Sequence, residues 1–136
     1  MSDQEEGQES NYEEIIKSYF KQHPSFFQNE EAKAIFLEGV LVGFLLETQR
    51  IINPQKTGNE AFWSSLHELR MDKRILLDLF PKTINKLKQL GKSYATFVKE
   101  VSQYFQNLGN EWDLSNIEMS WYFSNGLVSY QNFKKK

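Results

Sequence analysis

The side chains that most often carry chemistry are few in this sequence and badly spaced for it. The 136 residues include no cysteine and only two histidines. Without cysteine there is no disulfide, thiol nucleophile, iron–sulfur cluster or thiolate zinc site, and a cytosolic setting is the natural expectation. His23 and His67 lie far apart in the chain, and neither belongs to a His-x-x-x-His or Glu-x-x-His pair, so no metal site is expected. The acidic doublets Glu5-Glu6, Glu13-Glu14 and Glu30-Glu31 are adjacent residues. Helical neighbours diverge by about 100°, so neither member can share a ligand with the other. The doublets read as solvated faces and as complements to helix N-termini. Ser64 and Ser65 lie near His67, but sequence proximity makes no triad. No nucleophile elbow, phosphate-cradling loop or dinucleotide fingerprint is present. No catalytic residue and no cofactor is expected.

Charge is more informative, provided it is read by segment. The formal net charge of −2 and pI near 5.7 argue, taken whole, against a nucleic-acid partner. Residues 1–47, however, hold ten acids and three bases (Lys17, Lys21, Lys33), a net of −7. Residues 70–92 hold seven bases, Arg70, Lys73, Arg74, Lys82, Lys86, Lys88 and Lys92, against Asp72 and Asp78, a net of +5. On a helical wheel Ile84, Leu87 and Leu90 fall on one side. Lys82, Lys86, Lys88 and Lys92, with Asn85 and Gln89 between them, fall on an opposite arc of about 160°. A basic arc interleaved with amides suits sequence-independent contact with a phosphate backbone. These seven bases are the candidate nucleic-acid-binding residues.

The elements that must position this arc are helices, since no segment keeps a strand period for long. A first helix is expected over Tyr12–Gln22, ended by His23-Pro24. A second runs from an Asn29 cap to about Ile52 and is apolar nearly all round, which marks it as the centre of a bundle. Gly39 and Gly43 share one of its faces, a pattern that allows another helix to approach closely. After a Lys56-Thr57-Gly58 loop comes a short helix, Glu60–Leu69. Asp72 caps a helix Lys73–Phe80, and Pro81 then breaks the chain and starts another, Pro81–Leu90, closed by Gly91. Tyr94, Phe97, Val98, Val101, Phe105 and Leu108 mark an amphipathic helix ending at Gly109. The last helix opens on the capping box Ser115–Glu118 and is expected to continue to Lys134–Lys136. The fold class is therefore all-α, a compact bundle of five to six helices, with a core rich in the aromatics that form 15% of the chain. Residues 12–133 are read as one domain, between a flexible acidic tail (1–11) and a basic tail (134–136). The longest apolar stretch, Ala34–Leu46, is too short for a bilayer span and is interrupted by Glu38. No signal peptide is seen, so the reading is soluble and cytoplasmic, with no membrane partner.

Several motifs carry a family resemblance: the Ala34–Leu46 stretch with Gln49, Phe62-Trp63, Leu69-Arg70-Met71-Asp72-Lys73, Leu79-Phe80-Pro81, Trp112-Asp113-Leu114-Ser115 and Glu118 to Gly126. Together they resemble the C-terminal region of the large-subunit protein of type I-B CRISPR surveillance complexes (Cascade), over about Tyr12 to Phe133. In that family the region is also made separately, as the small subunit. The resemblance implies a non-enzymatic helical subunit, present in several copies along the belly of the complex. Its implied partners are the crRNA-bearing backbone subunits, the large subunit, adjacent copies of itself, and the target and displaced DNA strands of the R-loop. Guide pairing supplies sequence specificity in such systems. The competing reading is a helical protein–protein adaptor or regulator with no nucleic-acid contact, suggested by the overall acidity and by Tyr122, Phe123 and Tyr130. An enzyme with a composite site is a third.

Overall fold

The computed structural model describes residues 12–52, 71–110 and 112–134. The expected acidic tail, the Lys56–Gly58 loop, the Glu60–Leu69 helix, His67, Arg70 and the last two lysines lie outside these residues. Among the described residues there are five α-helices and no strand: α1 (Tyr12–Gln22), α2 (Glu30–Ile52), α3 (Lys73–Gln89), α4 (Ala95–Leu108) and α5 (Asn116–Val128), followed by a 3₁₀ turn, Tyr130–Phe133. The all-α expectation holds.

Helix α2 is the axis of the molecule. Its N-terminus is capped by Asn29, whose Oδ1 accepts the Ala32 amide at 2.8 Å. Helices α3, α4, α5 and the 3₁₀ turn all pack on it, as its all-round apolar character requires. One side of α2 (Phe36, Leu37, Val40, Leu41, Phe44, Leu45) joins Tyr12, Ile16 and Phe20 of α1, Phe97 and Val101 of α4, and Phe133 in the larger core. Another side (Ile35, Val42) meets Met71, Leu76 and Leu79 at α3 and Met119 and Phe123 of α5.

The crossing of α2 and α5 is as close as two backbones permit. A Cβ built on Gly39 would collide with the Phe123 carbonyl and lie 3.1 Å from Gly126 Cα. One built on Gly126 would collide with the Phe36 carbonyl. Gly43 lies under the Tyr130 ring, with no room for a Cβ (2.6 Å to the Tyr130 Cβ). The two glycines of α2 therefore do serve close packing, with α5 and with the 3₁₀ turn.

Three expectations need correction. Pro81 does not divide two helices: α3 runs unbroken from Lys73 to Gln89. Its buried stripe, Leu76, Leu79, Thr83 and Leu87, continues past Pro81, which sits on the exposed side. The missing N–H thus falls outside the core, and packing before and after it holds one axis. The end of α3 is as expected. Gly91, at φ +82°, closes it, with Lys92 N–H bonded to Leu87 O at 2.9 Å and Gly91 N–H to Lys88 O at 3.0 Å, a Schellman cap.

The last helix stops at Val128. The Ser129 amide is shared between Asn125 O and Gly126 O, which tightens the chain into the 3₁₀ turn. That turn carries Phe133 into the core, fully buried beside Tyr19, Phe36 and Phe97. Lys134 is held by Glu47 at 2.5 Å, so it is tied to α2.

The third correction concerns the Glu30-Glu31 doublet. Glu30 is exposed and paired with Lys33 at 3.0 Å. Glu31, by contrast, is buried. Its carboxylate accepts the Asp113 amide at 2.6 Å and the Leu114 amide at 3.0 Å. It thereby fixes the stretch of chain that leads into the Ser115–Glu118 capping box of α5. A further acid of α2, Glu38, is fully buried, and neither carboxyl oxygen has a hydrogen-bond partner. Burial alone pushes this carboxyl well above the usual 4.5.

Candidate nucleic-acid interface

The basic segment is presented by α3. Asp72 Oδ1 accepts the Ile75 amide at 2.8 Å and starts the helix. The Met71 amide donates to Ser120 Oγ at 2.8 Å and ties that start to α5. With the apolar stripe of α3 packed inward, the opposite side faces solvent and carries Arg74, Lys82 and Lys88. Lys92 follows just past the Gly91 cap, also exposed.

The seven predicted bases do not form one uniform surface. Arg70 lies outside the described residues. Lys73 sits at the flank of α3, its ammonium 5.5 Å from the centre of the Trp112 ring, and that ring stacks on Phe105 at 5.8 Å. Such a cation over an indole is held in place at moderate gain. Lys82 pairs with Asp78 at 2.9 Å, with both side chains about two-thirds exposed. An exposed pair of this kind is worth little and exchanges readily for another anion. Lys86 is half-buried and has a partner of its own. Arg74, Lys88 and Lys92 are exposed and have no ion-pair partner among the described residues.

Arg74 and Lys88 lie fourteen positions apart on one helix, about 21 Å at 1.5 Å per residue. Between them the exposed surface is made by Pro81, Asn85 and Leu77 together with the Lys82–Asp78 pair. An open hollow of about 900 Å³ at the start of α3 is bordered by both Lys73 and Arg74 and by both Asp72 and Asp78, so it is not a concentrated anion pocket. What the face offers, among the described residues, is spaced cations with hydrogen-bonding amides and no exposed aromatic. That suits contact with a charged backbone and offers no stacking platform for bases.

Sequence reasoning missed two features of this face. Asp78 lies four residues before Lys82, the spacing of a helical ion pair, and that signal was present. Trp112 lies beyond α4, and nothing in the sequence places it under Lys73.

The surface offered for a protein partner also differs from expectation. Phe123 is buried. Tyr122 donates its hydroxyl to Phe26 O at 3.0 Å, and Tyr130 packs against the larger core. The exposed apolar residues of α5 are instead Ile117, Trp121 and Val128. No helix among the described residues is long and apolar enough to cross a membrane.

A family model described as CRISPR-associated protein TM1802 (cas_TM1802) C-terminal domain matches residues 1–136. No curated protein and no solved structure matches the chain. The match spans the whole sequence and agrees with the motifs that resemble the end region of a CRISPR large-subunit protein. The chain belongs to the family of the CRISPR-associated TM1802 C-terminal domain.

Proposed function

We propose that this chain is a non-catalytic small subunit of a type I-B crRNA-guided surveillance complex in the cytoplasm. It packs along the backbone subunits beside the large subunit and further copies of itself. It steadies target and displaced DNA in the R-loop through sequence-independent phosphate contacts. One observation supports this reading above the others. The outward face of α3 and the cap that follows it carry Arg74, Lys88 and Lys92 without acidic partners among the described residues, while the rest of the domain is acidic overall. Lys82 joins them by exchanging Asp78 for a phosphate.

The test is R-loop formation by the reconstituted complex with Arg74, Lys88 and Lys92 replaced by alanine, measured across a salt series. Each phosphate contact contributes about 0.7–0.9 to the slope of log affinity against log salt, so three lost contacts flatten it by about 2–3 per copy. An unchanged slope and unchanged affinity would overturn the assignment. The adaptor reading draws on the exposed Ile117, Trp121 and Val128. It would be favoured if the untagged chain copurified with protein partners and no RNA.

A further inference from the structure

Residues 1–47 carry ten acids and only three bases, and the fold brings all three bases to one hollow. Lys17 and Lys21 reach it from α1, and Lys33 joins them from the start of α2. The hollow is open to solvent and measures about 470 Å³, within the range of small-ligand sites. The rest of its lining is Pro24, Phe20, Phe27 and Tyr104, and no acidic residue lines it among the described residues. It differs in this from the hollow at the start of α3, which Asp72 and Asp78 border.

The aromatic lining is fixed by packing. Phe20 and Phe27 are buried, with ring centres 4.5 Å apart. Tyr104 of α4 stands nearly perpendicular to Phe20 at 5.7 Å and is only half-buried, so of the three rings it has the most surface to offer. The ammonium of Lys33 lies 5.7 Å from the centre of the Phe20 ring. Lys33 and Lys17 hold Glu30 at 3.0 Å and Glu13 at 2.8 Å, each within its own helix, and both acids are about half exposed. Pairs of this kind exchange readily for another anion. Lys21 is exposed and has no ion-pair partner among the described residues.

We propose that this hollow holds one nucleotide of a single strand, its base against Tyr104 and its phosphates among Lys17, Lys21 and Lys33. An aromatic ring set among cations is the combination that retains single strands, the base on the ring and the backbone on the charges. The face of α3 has the cations and lacks the ring. Tyr104 lines the hollow, whereas the next residue, Phe105, packs on Phe80 of α3 at 5.8 Å. Helical neighbours diverge by about 100°, so the two surfaces lie on different sides of α4. The hollow thus adds base stacking at a separate site and stands without the phosphate contacts assigned to α3.

The test is a titration of the ¹⁵N-labelled 136-residue chain with oligothymidylate of about six nucleotides, at about 50 mM salt. Saturable shifts are expected at the Lys21, Lys33 and Tyr104 amides. Tyr104→Ala should weaken binding about tenfold, the loss of one stacked base, while Tyr104→Phe should keep it. Lys21→Ala, at an exposed position, should lower the salt slope by about 0.7, and this holds the test open if Tyr104→Ala fails to fold. A duplex of the same length should bind about tenfold more weakly, because its bases are already stacked on one another. The Arg74, Lys88 and Lys92 alanine variant should show the same shifts at the hollow. The proposal is overturned if the three amides do not respond, or if their response is lost in that α3 variant. Equal binding of the duplex or of oligoglutamate would also overturn it, since charge alone would then account for the contact. Thymidine monophosphate binding as tightly as the oligomer would overturn the assignment to a strand.

Discussion

Glu38 offers the sharpest test of the folded structure. It lies on the central helix with 0% exposure, and neither oxygen has a hydrogen-bond partner. An ionised carboxylate in that position would be costly, so the folded protein keeps it protonated. Its folded-state pKa is raised well above the usual 4.5 by burial. For a raised acid, the folded chain holds a proton that the unfolded chain releases once pH exceeds the unfolded value. The stability tied to Glu38 is thus fully present below about pH 4.5 and is lost as pH rises toward the folded pKa. Within that window the folding equilibrium weakens as pH rises, because the unfolded chain releases a proton that the folded chain keeps.

Glu13 and Glu47 have lowered values, through Lys17 and Lys134 respectively. They act in the opposite sense, Glu13 half-exposed and Glu47 about one-fifth exposed. Glu38→Gln removes the one titration and leaves theirs unchanged. Urea unfolding of both proteins at about pH 5, 6 and 7 should show the wild type losing ground to the variant as pH rises. Glu38→Met should be more stable than wild type at neutral pH. A stability difference that does not change with pH would refute the reasoning, because it would mean that the carboxylate is paired or hydrated in the folded state.

Two further substitutions test how the helices are held. Gly39→Ala or Gly126→Ala would normally gain about 1 kcal/mol of helix propensity. Here each methyl group meets a backbone carbonyl of the facing helix, so a net loss of about 2–3 kcal/mol is expected, read as a clear fall in the thermal midpoint. Stabilisation by either would contradict the close crossing. Glu31→Ala removes a buried carboxylate that accepts two backbone amides, at a cost of about 1.5–3 kcal/mol. Hydrogen exchange at the Asp113 and Leu114 amides should accelerate, while that at Leu41 should follow only the global change.

What was legible in the sequence is what neighbouring residues decide. The bounds of α1, the Asn29 and Asp72 caps, the Ser115–Glu118 box and the Gly91 stop all depend on chemistry within four or five positions. The central place of α2 followed from its having no polar face. The features that were not legible depend on how a helix is rotated against a distant element. Glu30 and Glu31 are identical in type, and only the approach of Asp113 and Leu114 distinguishes a surface acid from a buried clamp. Helix α5 is apolar on both sides, so periodicity alone does not choose between Phe123 and Trp121 as the buried one. At Pro81 the local rule was outweighed by a stripe that packs on both sides of it. The basic arc is a sequence pattern, but the pairing of Lys82 with Asp78 and of Lys73 with Trp112 depends on the folded structure.

The position of α5 and Phe133 far behind α2 in the chain has a consequence during synthesis. The ribosome completes α2 some eighty residues before Phe133, which takes about 4–16 s at about 5–20 residues per second. Throughout that interval the central apolar helix α2 lacks the cover that its two glycines are shaped to receive. The nascent chain therefore passes through a sticky stage that ends only when Phe133 has been added. Chains interrupted before Asn116 are expected to accumulate as aggregates or to remain with chaperones.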